Sequence, residues 1–443
     1  MQTHLSAEQT IGPTGGPVIG AAVGTTAMKN PSAVTQPVPH YRYIALLLLF
    51  AAGYHWLLCF LQTFGISASP ARVSIAELLI YLACLPLLRE RISARAIITV
   101  LLMAGTIVFL AFFRDGYVDV KGIRDLLIPI LFIWVGRTWK GTVDDLDRML
   151  RALIILIVAI GLFEIIFFDT YTHFINSFTY YIHLGGIQAA DAQISGQTVT
   201  LNGLRPEGIG RTVLPQLLGS HRASSLFLEP VSFGNFAVVI MAWGLSKPFK
   251  QWQSILFFCA SAVIMIALAD SRFALYSICG LLLLRLCVHH RAHLLAITFP
   301  LLGILLLLLV ATYSPAGGDN LHGRLTSSGL RLLHFDIASL LGLNSYAINF
   351  GDMGYAYVIS RLGIPIAVIM WLALFMLQLP SEQANRYRTF ACMYIASIMC
   401  ISGTSAFALK TAAVLWFLFG ALSVLKLESE TAIVQKPTLV FRK

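Results

Sequence analysis

Charge is scarce in this chain. Asp, Glu, Lys and Arg make up 12% of its 443 residues, about half the share of an ordinary soluble domain, too little to coat a water-facing surface. Strict apolar/polar alternation is also missing, which excludes an outer-membrane barrel. The seven cysteines (Cys59, Cys84, Cys259, Cys279, Cys287, Cys392, Cys400) all fall in apolar runs, with none in a CxxC pair or a polar loop. They read as small hydrophobes and leave no disulfide framework and no metal site. There is no Walker A loop, no GxGxxG, no HExxH, no Gly-x-Ser-x-Gly elbow and no paired-aspartate metal motif in the segments placed outside. Nucleotide- or metal-driven chemistry is therefore disfavoured, and no cofactor is expected. No internal repeat is visible, which weakens an inverted-repeat transporter.

What the chain does have is hydrophobicity: 57% of residues are apolar and the mean hydropathy is +0.78. Apolar runs lie at about 43–64, 73–88, 95–113, 122–136, 150–168, 226–245, 252–269, 272–288, 293–312, 354–379, 388–402 and 404–425. Backbone groups in lipid must be satisfied internally, so these runs predict an all-α polytopic membrane bundle of about twelve spans. Residues 1 to about 40, rich in Gly, Pro, Thr and Ala, predict a disordered tail, and 426–443 a second tail. With the N-terminus placed inside, 19 of the 31 Lys and Arg fall on the cytoplasmic side. That agrees with the positive-inside rule and puts both termini in the cytoplasm. The net charge of +10 then reads as membrane orientation rather than nucleic-acid binding. Asp144, Asp145 and Asp147 read as a helix start beside basic residues.

This topology leaves two long outer segments, about 169–225 and 313–353. Loops of that length are usually functional. The first carries Arg205, Glu207, Arg211, His221 and Arg222, and opens with a cluster of aromatics, Phe167 to Tyr181. The aromatics read either as an interfacial belt or as a sugar-stacking platform. The second carries Arg324, Arg331, His334 and Asp352. Arg324 and Arg331 are seven apart, on one face if that segment is helical.

The stretch His221–Asn235 (HRASSLFLEPVSFGN) joins the first loop to an apolar run. Glu229 precedes Pro230, and a residue before proline is held out of the helical region while proline suits the first turn. A helix is therefore expected to start at Pro230 with Glu229 at its N-terminal end, as a capping acid, a pocket acid or base, or the partner of Arg222. Arg272 follows Asp270 and Ser271 in a tight outer hairpin, in a helix first turn where a cation opposes the dipole. It reads as an anion-holding residue, or as a partner of Asp270, or as a snorkelling anchor. Arg361 lies inside an apolar run and needs a carboxylate, with Glu77, Asp352 and Glu164 as candidates. Glu77, Glu164 and Lys410 also lie inside apolar runs and read as paired structural charges at least as readily as catalytic ones.

Arg222-Ala223-Ser224-Ser225-Leu226-Phe227-Leu228-Glu229-Pro230, Asp270-Ser271-Arg272, Arg331, and the segment DMGYAYVISRLG at 352–363 together resemble the Wzy-type polysaccharide polymerases of the O-antigen ligase/polymerase superfamily, the xanthan-type exopolysaccharide polymerases included. The resemblance covers roughly residues 200 to 370. It implies a metal-independent glycosyltransferase on the outer face of the inner membrane. That enzyme would move a growing glycan from undecaprenyl diphosphate onto an incoming lipid-linked repeat, alongside membrane lipids and a flippase and chain-length regulator of the same pathway. Carried over by position, Arg272 and Arg331 are expected to bind the diphosphate and stabilise the leaving group, with Glu229 or Asp352 as base. Arg222, Arg211, His334, Arg324 and Arg361 are expected to line the substrate site. Ligases of this group have a His-Asn where this chain has Asp352-Met353, which favours polymerase over ligase. The rivals are an O-antigen ligase acting on lipid A–core, a flippase or transporter for lipid-linked oligosaccharide, and a structural membrane partner of a secretion complex.

Overall fold

The computed structural model describes residues 39–89, 94–185, 211–287, 290–314, 321–344, 354–401 and 405–425. The expected tails (1–38 and 426–443), residues 186–210 of the first outer segment with Arg205 and Glu207, and residues 345–353 with Asp352 lie outside these. Residues from Tyr41 onward belong to one compact unit. It is helical, with no strand among the described residues.

The helices, in chain order, are α1 (Pro39–Thr63), α2 (Pro70–Arg89), α3 (Ala94–Phe113), α4 (Val120–Arg137), α5 (Val143–Ile166), short α6 (Phe168–Phe174) and α7 (Ser177–His183), α8 (Pro230–Ser246), α9 (Trp252–Ala269), α10 (Arg272–Cys287), α11 (Phe299–Tyr313), α12 (Leu321–Leu333), one-turn α13 (Ile337–Leu340), α14 (Gly354–Met376), α15 (Glu382–Met399) and α16 (Leu409–Leu422). Each of the twelve apolar runs carries one of these helices. Six helices are long and apolar enough to cross a membrane: α1, α2, α5, α9, α14, and the run Leu294–Tyr313 that ends in α11; α3, α8 and α16 contain shorter apolar stretches.

Their packing divides them into an inner and an outer set. In α8 every residue but Val231 is buried, and α16 is buried throughout. Helices apolar on all sides belong in a core. α8 packs against α9, α10, α15 and α16, and α16 lies along α4. The α4–α16 crossing is close because a Cβ at Gly136 would overlap the Phe417 carbonyl and one at Gly420 the Ile133 carbonyl. Small residues at such a crossing let backbones approach without side chains between them. α3 and α11, by contrast, turn rows of large apolar side chains outward, among them Leu101, Leu102, Val108 and Phe112, and Leu301, Leu305 and Leu309. An apolar surface of that extent is stable in hydrocarbon and not in water.

At one end of the bundle, Thr142 and Asp145 form a reciprocal cap on α5, as the acidic cluster predicted. Asp147 is used differently: it is buried and pairs with Lys247 at 2.7 Å while accepting from Trp243 Nε1 at 2.9 Å and Ser254 Oγ at 2.8 Å. It thereby ties α5, α8 and α9 together.

α14 is broken at Gly363, whose φ of 73° and ψ of 158° lie outside the helical region. Pro365 removes a donor there, and a Cβ at Gly363 would overlap the Leu341 carbonyl. Carbonyls near the break are satisfied from α3's end: buried Arg114 donates to Ser360 O at 3.2 Å, Arg361 O at 2.7 Å and Gly342 O at 2.8 Å.

Candidate functional site

The site is built around one carboxylate. Glu164, buried in the last turn of α5, accepts from Ser224 N at 2.9 Å, Ser225 N at 2.6 Å, Ser224 Oγ at 2.9 Å and His221 Nε2 at 2.9 Å. A carboxylate holding several N–H donors is a strong anchor because each bond is charge-assisted. Here it fixes the His221–Ser225 segment over the end of α5. Ser225 Oγ adds a bond to Ile157 O at 2.6 Å. Such anchoring is needed, since Ser225 and Leu228 are non-glycine residues at φ 49° and 57°. Left-handed backbone costs such residues on the order of 1–2 kcal/mol each. Strain of this kind persists only where the surroundings over-determine it, and it gathers at functional sites.

The second wall is the α9–α10 turn. Ala223 N donates to Leu268 O at 2.9 Å, and Arg222 Nε donates to Ala269 O at 3.1 Å. Arg211 is buried and directs its guanidinium to His221 O at 2.8 Å and Leu268 O at 2.6 Å, and also to Ala267 O. These are terminal carbonyls of α9, so Arg211 acts as a cap there. Asp270, at φ 50°, accepts from Thr212 N, Thr212 Oγ1 and Val213 N, each at 2.9 Å. Ser271 Oγ then accepts from Ala274 N at 3.3 Å and starts α10. Arg272 is the first residue of that helix. It is half-buried and makes no hydrogen bond or ion pair among the described residues. Asp270, the partner considered from sequence, is turned to the Thr212 side.

The third wall is the mouth of α8. The helix begins at Pro230 with Glu229 extended at its N-cap, as expected. The Glu229 partner is not Arg222 but Lys410, at 2.5 Å, joined by Tyr181 Oη at 3.1 Å and Ser232 Oγ at 2.8 Å. The Lys410 ammonium and the two donated hydroxyl bonds together satisfy the Glu229 carboxylate. Burial and the same carboxylate push the Tyr181 phenol well above its ordinary range. α10 and α16 meet α8 close by: a Cβ at Gly234 would crowd Ser271, and Asn235 Nδ2 donates to Ser405 Oγ at 2.8 Å. Three helix N-termini, those of α8, α10 and α16, therefore open beside Arg222, Arg272 and Lys410, and their free N–H ends favour an anion.

No family model, no curated protein and no solved structure matches this chain. Its chemistry must be read from these residues.

The remaining predicted residues lie elsewhere. Arg324 and Arg331 share α12, so the second outer segment is helical there. That helix packs on α11 and α14, with Gly329 against the Leu307 carbonyl. Arg331 is half-buried, Arg324 is exposed, and His334 just beyond is exposed with Nδ1 at 2.6 Å from Leu330 O. Arg361 pairs with Asp119 at the start of α4, not with Glu77 or Glu164, and its guanidinium lies 4.3 Å from the Tyr357 ring centroid. Glu77 pairs with Arg124 at 3.4 Å and accepts from Tyr54 Oη at 2.8 Å. Arg124 also bonds Asp125, on which Tyr357 Oη donates. This ladder crosses α1, α2, α4 and α14. His55, beside Tyr54, reaches Tyr180 Oη at 2.7 Å, so the tyrosine pair of α7 touches both the ladder and Glu229. Sequence reading overlooked Asp119, Arg114 and His55. Asp119 sits in a short turn, while His55 was hidden as a single polar residue in an apolar run.

Proposed function

We propose that this protein is an inner-membrane polysaccharide polymerase. It transfers a growing glycan from undecaprenyl diphosphate to an incoming lipid-linked repeat on the outer face of the membrane. The observation that carries the reading is Arg272: a half-buried cation with no partner among the described residues, at a helix N-terminus, in a mouth shared with Arg222 and Lys410 and framed by strained, over-anchored loops. Guanidinium groups and free N–H ends recognise phosphate oxygens. Glycosyl transfer from a diphosphate needs that neutralisation as the leaving group departs. Arg222 completes the pocket, whereas Arg331, on α12 against α11 and α14, lies apart from it. The twelve helices over the apolar runs act as twelve spans with both termini cytoplasmic, which puts this mouth on the outer side. Membrane lipids surround it, and a flippase and chain-length regulator would supply and limit its substrate.

Glu229 holds Lys410 rather than acting as base, since its oxygens are already taken by the Lys410 ammonium and the Tyr181 and Ser232 hydroxyls. A transporter for lipid-linked oligosaccharide is the second reading, favoured by the ladder Glu77–Arg124–Asp125–Tyr357, in which a half-buried arginine joins buried acids.

The test is deletion of the gene with complementation by wild type and Arg272→Ala, reading surface polysaccharide and lipid-linked intermediates. The expected outcome is single lipid-linked repeats exposed on the outer face, without polymer. Wild-type polymer from Arg272→Ala overturns the assignment, and repeats confined to the cytoplasmic face favour the transporter.

A further inference from the structure

We infer that His221 is the general base that activates the acceptor hydroxyl, oriented by Glu164. The inference rests on the polymerase reading above and adds a residue to it. His221 Nε2 lies 2.9 Å from Glu164 Oε1. Glu164 is surrounded by donors: the amides of Ser224 and Ser225 and the hydroxyl of Ser224. A carboxylate so placed is an acceptor only, so the imidazole must present N–H at Nε2. In the neutral ring this puts the proton on one nitrogen and the lone pair on the other. That other nitrogen, Nδ1, is buried and has no hydrogen-bond partner among the described residues. A buried polar atom left unpaired is costly and calls for an explanation. A lone pair kept free of protein donors is what a proton acceptor requires.

The surroundings fit that role. The ring is held by Phe168, with centroids 4.7 Å apart. The His221 carbonyl is clamped by Arg211 at 2.8 Å, and the next two residues bond the Ala269 and Leu268 carbonyls of the turn before Arg272. Arg211 and the Leu268 and Ala269 carbonyls thus tie the imidazole's segment to the α9–α10 turn that leads into Arg272. Of the two acids that sequence offered for this task, Glu229 is occupied by Lys410 and Asp352 lies outside the described residues.

In the step assigned here, the acceptor oxygen attacks the anomeric carbon and forms the new C–O bond. Its proton passes to His221 Nδ1. The bond between the anomeric carbon and the phosphate oxygen breaks, and its electron pair leaves with the diphosphate held by Arg272. The proton then returns from the imidazolium to the departing diphosphate or to water, which restores the base.

The experiment uses membrane vesicles from the source cells, deleted for the chromosomal gene and carrying plasmid copies, with their own lipid-linked repeats as substrate. Polymer growth is followed for wild type, His221→Ala, His221→Gln and Arg272→Ala. His221→Gln keeps the bulk and an N–H for Glu164 but has no basic lone pair. Both His221 variants are expected to fall about 10²–10⁴-fold. Added imidazole is expected to restore His221→Ala at least several-fold and to leave His221→Gln and Arg272→Ala unchanged. A purely structural histidine gives no such rescue. Polymer growth within about threefold of wild type in His221→Gln overturns the inference, as does a folded but inactive His221→Ala that imidazole does not restore. Either result beside an inactive Arg272→Ala leaves the polymerase reading standing, whereas an active Arg272→Ala defeats that reading itself.

Discussion

Replacing Glu164 by Gln should release the His221–Ser225 segment while leaving the bundle folded. The carboxylate receives two backbone amides, a hydroxyl and an imidazole, at 2.6 to 2.9 Å. Hydrogen bonds to a charged group contribute about 1.5–3 kcal/mol, against about 0.5–1.5 kcal/mol for neutral ones. Loss of the charge therefore removes about 1 kcal/mol or more from each of four bonds. The amide also brings a donor of its own. Turned toward Ser224 N and Ser225 N, it opposes two donors that cannot rotate. Turned the other way, it forces the His221 ring to move its proton from Nε2 to Nδ1. The expected local cost is about 3–5 kcal/mol. That corresponds to a roughly hundred- to several-thousandfold loss of hydrogen-exchange protection at the Ser224 and Ser225 amides, at about 1.4 kcal/mol per tenfold. The assay is exchange of protein in lipid nanodiscs, with α8 amides as the internal reference. Protection within threefold of wild type at both amides, with Glu164→Gln confirmed by mass, would refute the anchoring role. Ser225→Ala, which removes only the bond to Ile157 O, should cost about 1 kcal/mol.

Two further outcomes follow from the packing. The Glu229–Lys410 pair should show strong coupling in a double-mutant cycle: Lys410→Met and Glu229→Gln each lower the melting temperature, and the double variant recovers part of the loss. Gly363→Ala should destabilise by about 2 kcal/mol or more, since it strains a φ of 73° and drives a methyl into the Leu341 carbonyl. An unchanged melting temperature would mean that the α14 break relaxes freely.

The helices were legible because hydrophobic runs report burial locally. The Pro230 start was legible because proline restricts the residue before it, and Glu229 duly sits extended there. That Arg361, Glu77, Glu164 and Lys410 would need partners was also legible, because an unpaired charge inside an apolar run is untenable. Which partners they take was not. Arg361 finds Asp119 at a separation of 242 residues and Lys410 finds Glu229 at 181. Nothing in the local pattern encodes which helix ends meet. The break in α14 had a local signal in Pro365. The carbonyl-capping by Arg114 had none, because it depends on where α3 ends in space.

The Glu229–Lys410 bond has a consequence for how the molecule is made. The acid is synthesised 181 residues before its counter-charge. At about 5–20 residues per second, that is an interval of roughly 10–35 s. α4 waits longer still for the glycine surface of α16, and the last helix supplies both Lys410 and the Gly420 contact. During that interval the nascent α8 holds its carboxylate with Ser232 and Tyr181, both already made. The arrival of α16 is then the event that closes the mouth of α8, so ribosomes stalled before residue 410 should yield a chain with its earlier helices inserted and Glu229 without its counter-charge.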